Sequence, residues 1–139
     1  MADVLAVVGT LAGVVVGGLI NYLATRSAKE REWRLSIDKE LLVMRNQAYV
    51  AFLTEFDEQA GRRVQPDFPT VEERYRLNAK LNAMSFCAGT KPVVVAEKML
   101  KRLYGKLDQD GPGLFQLRDD FLKWGTVDLS IMGRDLPRR

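Results

Sequence analysis

The sequence predicts an all-α protein, with one N-terminal transmembrane helix continuing into a small cytoplasmic antiparallel helical bundle. Three observations carry that prediction. Residues 4–25 hold no charge, the stretch after them has neither proline nor glycine until Gly61, and turns rich in Gly and Pro cut the rest into segments of helical length. No strand-like alternation and no internal repeat competes with this pattern. The expected division is residues 1–25 as the transmembrane helix and 26–139 as the cytoplasmic bundle.

The uncharged run VLAVVGTLAGVVVGGLINYLAT is 22 residues long. At a rise of about 1.5 Å per residue, Val4 to Leu23 spans about 30 Å, the thickness of a bilayer's hydrocarbon core. Its eleven Val, Leu and Ile residues favour insertion, against Thr10, Asn21 and four glycines. A secretory signal peptide would begin with basic residues, whereas this chain begins Met-Ala-Asp. The basic residues Arg26, Lys29, Arg31 and Arg34 follow the span, which places the N-terminus outside an inner or plasma membrane and the remainder in the cytoplasm. The competing reading is a buried core helix.

Glycines in that run have a use in lipid. Apolar side chains gain little by packing against each other there, so helices associate where small residues let backbones approach. Gly9, Gly13 and Gly17 form two consecutive GxxxG units suited to packing spans from several copies. Thr10 and Asn21 add polar groups that in a ring of spans would converge on an axis as a narrow pore lining. Asn21 also suits the headgroup level beside Tyr22, and a plain anchor with incidental glycines is the simpler alternative.

The next segment, SAKEREWRLSIDKELLVMRNQAYVAFLTEFDEQAG, reads as one long helix with an apolar face at Trp33, Ile37, Leu41, Met44, Tyr49, Phe52 and Phe56. Gly61, Pro66 and Pro69 make a turn, and Thr70-Val-Glu-Glu73 has the capping-box spacing that opens a second helix to about Ala88. Gly89 ends it, Thr90 is the expected N-cap of the third helix, and Pro92 fits its first turn. That helix should run to about Leu107, a fourth from Gly113 to Trp124, and a short fifth from Thr126 to Leu136.

Composition excludes much chemistry. With no histidine and Cys87 as the one cysteine, there is no Ser-His-Asp or Cys-His nucleophile, no Cys/His zinc site and no intrachain disulfide. No GxxxxGK[ST] or GxGxxG phosphate loop is present, and Asp108/Asp110 lack the remaining ligands of a calcium loop. No catalytic residue, metal or cofactor is expected, and the chain is read as a non-enzyme.

One basic surface stands out. Lys98, Lys101, Arg102 and Lys106 recur on one side of the third helix, with Tyr104 at the edge and Lys91 just before its start. Around an oligomer such a face would hold the phosphates of a nucleotide or single-stranded oligonucleotide, with tyrosine available to stack a base. A solvated face or attraction to anionic lipid are the alternatives.

The Gly-rich span, Asn21, Arg26 and a charged helix ending RNQAYVAFL together resemble a loose group of bacterial, often actinobacterial, single-span proteins. Their post-membrane helix carries R-x-x-A-Y-x-x-F, here Arg45, Ala48, Tyr49 and Phe52. Their ends carry an M-R-x-D-L element, here the one-residue-longer Met132-Gly-Arg-Asp-Leu136. Some proteins of this layout are effectors of anti-phage systems. In the Hailong type, a nucleotidyltransferase-like partner makes DNA oligomers that control an oligomeric membrane channel. The resemblance implies a homo-oligomeric channel gated through its cytoplasmic domain, with itself, the bilayer, an oligonucleotide and an operon-encoded nucleotidyltransferase as partners. A membrane-tethered helical module binding a cytoplasmic protein, and a peripheral binder of nucleic acid or lipid, are the other readings.

Overall fold

A computed structural model describes the backbone of residues 2–105 and 111–134, and the side chains of residues 14–105 and 111–132. Its four helices are α1 (Ala2–Arg62), α2 (Val71–Ser85), α3 (Thr90–Leu103) and α4 (Leu114–Arg134). Among the described residues there is no strand, and the fold is all-α. Contacts divide the chain into two units, Met1–Ile37 and Asp38–Arg139.

Unit one is the first part of α1. Residues 14–25 are uncharged, and every side chain described there is exposed. Among the described residues no helix is long and apolar enough to cross a membrane. The run read from the sequence starts at Val4, ahead of the first described side chain.

Unit two is a helical bundle built on an aromatic centre. Tyr49, Phe52 and Phe56 of α1 are buried, together with Leu77 and Met84 of α2, Met99 and Leu103 of α3, and Leu117 and Phe121 of α4. The Phe52 ring lies 5.3 Å from that of Phe121, and the Tyr49 ring meets Phe121 edge-on at 5.7 Å. Each such fully buried ring contributes about 2–3 kcal/mol of transfer free energy. Tyr49 and Arg45 meet the far end of α4 at Asp128, whereas Asp57 meets its near end at Arg118, so α1 and α4 run antiparallel. In turn, α2 packs on α3 and α3 on α4.

The buried face of α1 differs from the expected one. Trp33, Leu41 and Met44 are exposed, and the inward stripe runs Leu42, Arg45, Tyr49, Phe52, Phe56, Gln59 in steps of three and four. Two polar members of that stripe, Arg45 and Gln59, mask it in a count of apolar positions. They are admitted because each finds hydrogen-bond partners inside the bundle.

Helix boundaries follow local chemistry where it is strong. The capping box at α2 forms in full: Thr70 Oγ1 accepts from Glu73 N–H at 3.1 Å, and Glu73 Oε2 accepts from Thr70 N–H at 2.9 Å. α1 continues one residue past Gly61 to Arg62, whose guanidinium reaches Glu73, Gln65 and Asp67. The third helix ends at Leu103 rather than near Leu107, because Gly105 adopts φ 73°, the left-handed conformation that closes a helix. The N-cap of α3 is Gly89, not Thr90, with the capping carboxylate supplied by α4.

The expected fourth and fifth helices are one. α4 runs unbroken through Gly125, although glycine in a helix interior costs about 1 kcal/mol relative to alanine. The Tyr49 ring lies 3.6 Å from where a Gly125 Cβ would stand, an ordinary van der Waals distance.

Candidate functional site

One polar cluster of the bundle gathers at Asp128. α1 brings Arg45 and Tyr49 one turn apart, the α2–α3 connection brings the Gly89 amide, and α4 brings the carboxylate. Asp128 Oδ2 accepts from Arg45 Nη1 at 2.9 Å, from Gly89 N–H at 3.1 Å and from the Tyr49 hydroxyl at short range. Burial, and then the hydrogen bond and negative charge of Asp128, raise the Tyr49 pKa well above the usual phenol range. The proton therefore stays on the tyrosine. Arg45 Nε is buried without a hydrogen-bond partner. With three donors on one oxygen, the cluster fastens α1, α4 and the start of α3 to one another and leaves that oxygen no capacity for a substrate.

The R-x-x-A-Y-x-x-F pattern acquires a physical meaning here. Arg45 and Tyr49 grip Asp128, Phe52 packs on Phe121, and Ala48 is half-buried against the core. Sequence reasoning missed Asp128, because nothing near it in the chain marks that carboxylate. The only signal is indirect: an arginine on a helix's inward face requires a buried anion somewhere.

A second polar network closes the other end of the bundle. Gln59 Nε2 donates to Glu55 Oε1 at 2.8 Å and to the Glu73 carbonyl at 2.7 Å, while its Oε1 accepts from the Tyr104 hydroxyl at 2.9 Å. Arg62 pairs with Glu73 at 2.5 Å, and Arg76 with Glu55 at 3.3 Å. The backbone amide of Thr70 is the main reason the Glu73 carboxyl lies below its usual range. Tyr104 is pushed up to about 12, chiefly by burial, with the Arg74 charge opposing.

The basic residues singled out on α3 occupy different settings. Lys98 and Lys101 are exposed, one turn apart. Lys91 sits at the opposite end of the helix with its ammonium 4.0 Å over the Trp124 ring, a cation–π contact, and Lys123 lies 5.8 Å from the same ring. Arg102 is half-buried and donates to the Gly111 carbonyl at 3.4 Å. Tyr104 is half-buried, its ring 6.2 Å from that of Phe68 with the Arg74 guanidinium 5.4 Å above it. Lys106 lies outside the described residues, as do Asp108 and Asp110. Among the described residues of that set, Lys98 and Lys101 therefore combine on the exposed face.

In the N-terminal unit, Gly17 has no atom within 4 Å of a notional Cβ. Asn21 is exposed, and its carbonyl accepts from Thr25 Oγ1 at 2.8 Å. The side-chain positions of Gly9, Thr10 and Gly13 lie outside the described residues, as does most of the Met132–Leu136 element. No family model matches the chain, and no curated protein or solved structure matches it.

Proposed function

We propose that this chain is a single-span membrane protein that assembles from several copies into a channel, with the cytoplasmic bundle as its gate. The observation that carries the reading is the first part of α1. Val14, Val15, Leu19, Ile20, Tyr22 and Leu23 are all more than half exposed, and residues 14–25 hold no charge. An uncharged, largely apolar helix surface belongs in hydrocarbon or in a protein core, and nothing within 4 Å stands where a side chain on Gly17 or Gly18 would begin. Gly9, Gly13 and Gly17 pack the spans, Thr10 and Asn21 line the pore, and the resemblance supplies the anti-phage setting. An anionic ligand, an oligonucleotide made by a nucleotidyltransferase partner, biases the gate by binding open and closed states unequally. Lys98 and Lys101 are its contact points, and Lys91, Arg102, Tyr104 and Lys106 are the further candidates named from the sequence.

Conductance of the purified protein in planar bilayers tests this. The Gly13→Leu protein should express and insert but carry no current. Absence of current from the unsubstituted protein, with and without oligonucleotides, overturns the proposal.

A second reading has its own support. Because Tyr104 and Arg102 already hold partners within the bundle, the α3 face offers an anion few groups, which favours a membrane-tethered module that binds a protein. Exchanging residues 4–23 for an unrelated anchor separates the two, since a tether keeps its activity and a channel loses it.

A further inference from the structure

Where the uncharged run of α1 ends, Tyr22, Arg26 and Lys29 follow steps of four and three and so share one face of the helix. A recess of about 360 Å³ on that face is lined by Tyr22, Thr25, Arg26 and Lys29, and all four side chains are exposed. The Thr25 hydroxyl donates to the Asn21 carbonyl at 2.8 Å. The donors left to the recess are the Arg26 guanidinium, the Lys29 ammonium and the Tyr22 hydroxyl. No Asp or Glu stands between Asp3 and Glu30, and Glu30, one turn past Arg26, pairs instead with Arg34 at 3.8 Å. Among the described residues neither Arg26 nor Lys29 forms an ion pair. Two like charges thus share one recess without a counter-charge, which an anion supplies.

We propose that this recess binds the phosphate of an anionic phospholipid headgroup, an inference that rests on the reading of residues 4–25 as a membrane span. Depth identifies the ligand. α1 is one continuous helix, and at about 1.5 Å per residue Arg26 and Lys29 stand about 4 and 9 Å past Leu23. The headgroup layer on each side of a bilayer is about 5–8 Å thick. With Leu23 at the end of the hydrocarbon, the guanidinium and the ammonium fall at the level of the lipid phosphates. Tyr22 marks the same border, where aromatic residues place an apolar ring toward the tails and a hydroxyl toward water. Arg26 offers paired donors that match two phosphate oxygens, and Lys29 adds a point charge. A zwitterionic headgroup brings its own ammonium, which competes for the phosphate, so the recess selects lipid of net negative charge. Arg31 is not part of the site: two residues past Lys29, it lies on the far side of the helix and about 12 Å past Leu23.

Lipid selectivity of the full chain in reconstituted bilayers tests this. Flotation with phosphatidylcholine vesicles after an alkaline carbonate wash first reads insertion, and a chain lost from the vesicles at that step defeats the span and the lipid site together. In the inserted protein, electron spin resonance compares the association of spin-labelled phosphatidylglycerol with that of spin-labelled phosphatidylcholine. Phosphatidylglycerol should be preferred several-fold, since each cation at the surface is worth about five-fold at most. Arg26→Gln should lose more than half of that preference, and Arg26→Gln with Lys29→Gln nearly all of it. Arg31→Gln, which removes the same charge as Arg26→Gln, should keep it. Equal association of the two lipids with the inserted, unsubstituted chain overturns the site and leaves the span standing, as does an Arg31→Gln chain that loses as much as Arg26→Gln. Millimolar inorganic phosphate, against chloride at matched ionic strength, should leave the preference unchanged. If it abolishes the preference, the recess takes free phosphate and the lipid assignment falls.

Discussion

The first turns of α2 and α3 are each closed by a carboxylate, but from very different distances along the chain. Glu73 reaches the Thr70 amide three residues away, and Asp128 reaches the Gly89 amide 39 residues away. Both also hold an arginine from α1, Arg62 in one case and Arg45 in the other, and both satisfy backbone donors that a helix start leaves unpaired. The difference lies in what must fold first. The Glu73 clasp is available to an isolated turn, whereas the Asp128 clasp exists only once three helices have met. The first should therefore stabilise a local element, and the second should report on the assembly of the whole bundle.

The largest effect is expected at Asp128. Asp128→Ala strands the Arg45 guanidinium and the Tyr49 hydroxyl in a mostly buried place and uncaps α3, for a loss of about 3 kcal/mol. Denaturation of the full chain in detergent, followed by near-ultraviolet circular dichroism of the packed aromatics, measures it. Gly89→Ala should also destabilise, because the new Cβ would lie 2.3 Å from Asp128 Oδ1 and push the carboxylate off its three donors. In the Asp128→Ala background that collision is gone. The two losses should then fall short of additivity by about 1 kcal/mol or more. Strict additivity would mean that the carboxylate does not couple α4 to α3.

A smaller and more local effect is expected at α2. Thr70→Ala removes the acceptor for the Glu73 amide and should cost about 1 kcal/mol, as N-cap truncations do. Glu73 adds a pH dependence. Its carboxyl lies below the usual range in the folded chain, so its contribution is full above the unfolded carboxyl pKa and is lost as pH falls through the folded one. Glu73→Gln should flatten that part of the acid limb. An acid limb unchanged by this substitution would show that the capping box carries no linked charge.

How legible each clasp was in the sequence follows from the same distances. Thr70-Val-Glu-Glu73 announces its own helix start, and the α2 boundary was read from it directly. Thr90 looked like the cap of α3 only because the true acceptor stands on another helix. Gly125 looked like a break because glycine is a poor helix former, yet α4 runs through it. The inward face of α1 was read correctly at Tyr49, Phe52 and Phe56, where it is apolar. It was misread nearer the N-terminus, where Arg45 holds the inward position and Leu41 and Met44 face out. Among the basic residues of α3, helical spacing placed Lys98 and Lys101 together. It was silent on the Gly111 carbonyl and Gln59 that engage Arg102 and Tyr104. Local hydrogen bonds and apolar periodicity are thus encoded within a few residues, and the polar contacts between helices are not.

The smallest effect sharpens the comparison at alkaline pH. Tyr104 hydrogen-bonds Gln59 and is pushed up to about 12 by burial, so the unfolded chain loses this phenolic proton first, near the ordinary value of about 10. A group whose folded pKa is raised stabilises fully below the unfolded value, and its contribution disappears as pH rises from there through the folded one. Stability should therefore decline from about pH 10 upward. Tyr104→Phe should remove part of that slope and cost about 1 kcal/mol at neutral pH through the lost hydrogen bond. Tyrosinate absorbance of the folded chain should then lack one late-titrating group. Tyr49→Phe should also remove a late-titrating phenol, but at greater cost, because it takes a donor from the buried Asp128 carboxylate. Equal costs at the two tyrosines would mean that the long-range clasp holds the bundle no more firmly than the network around the local one.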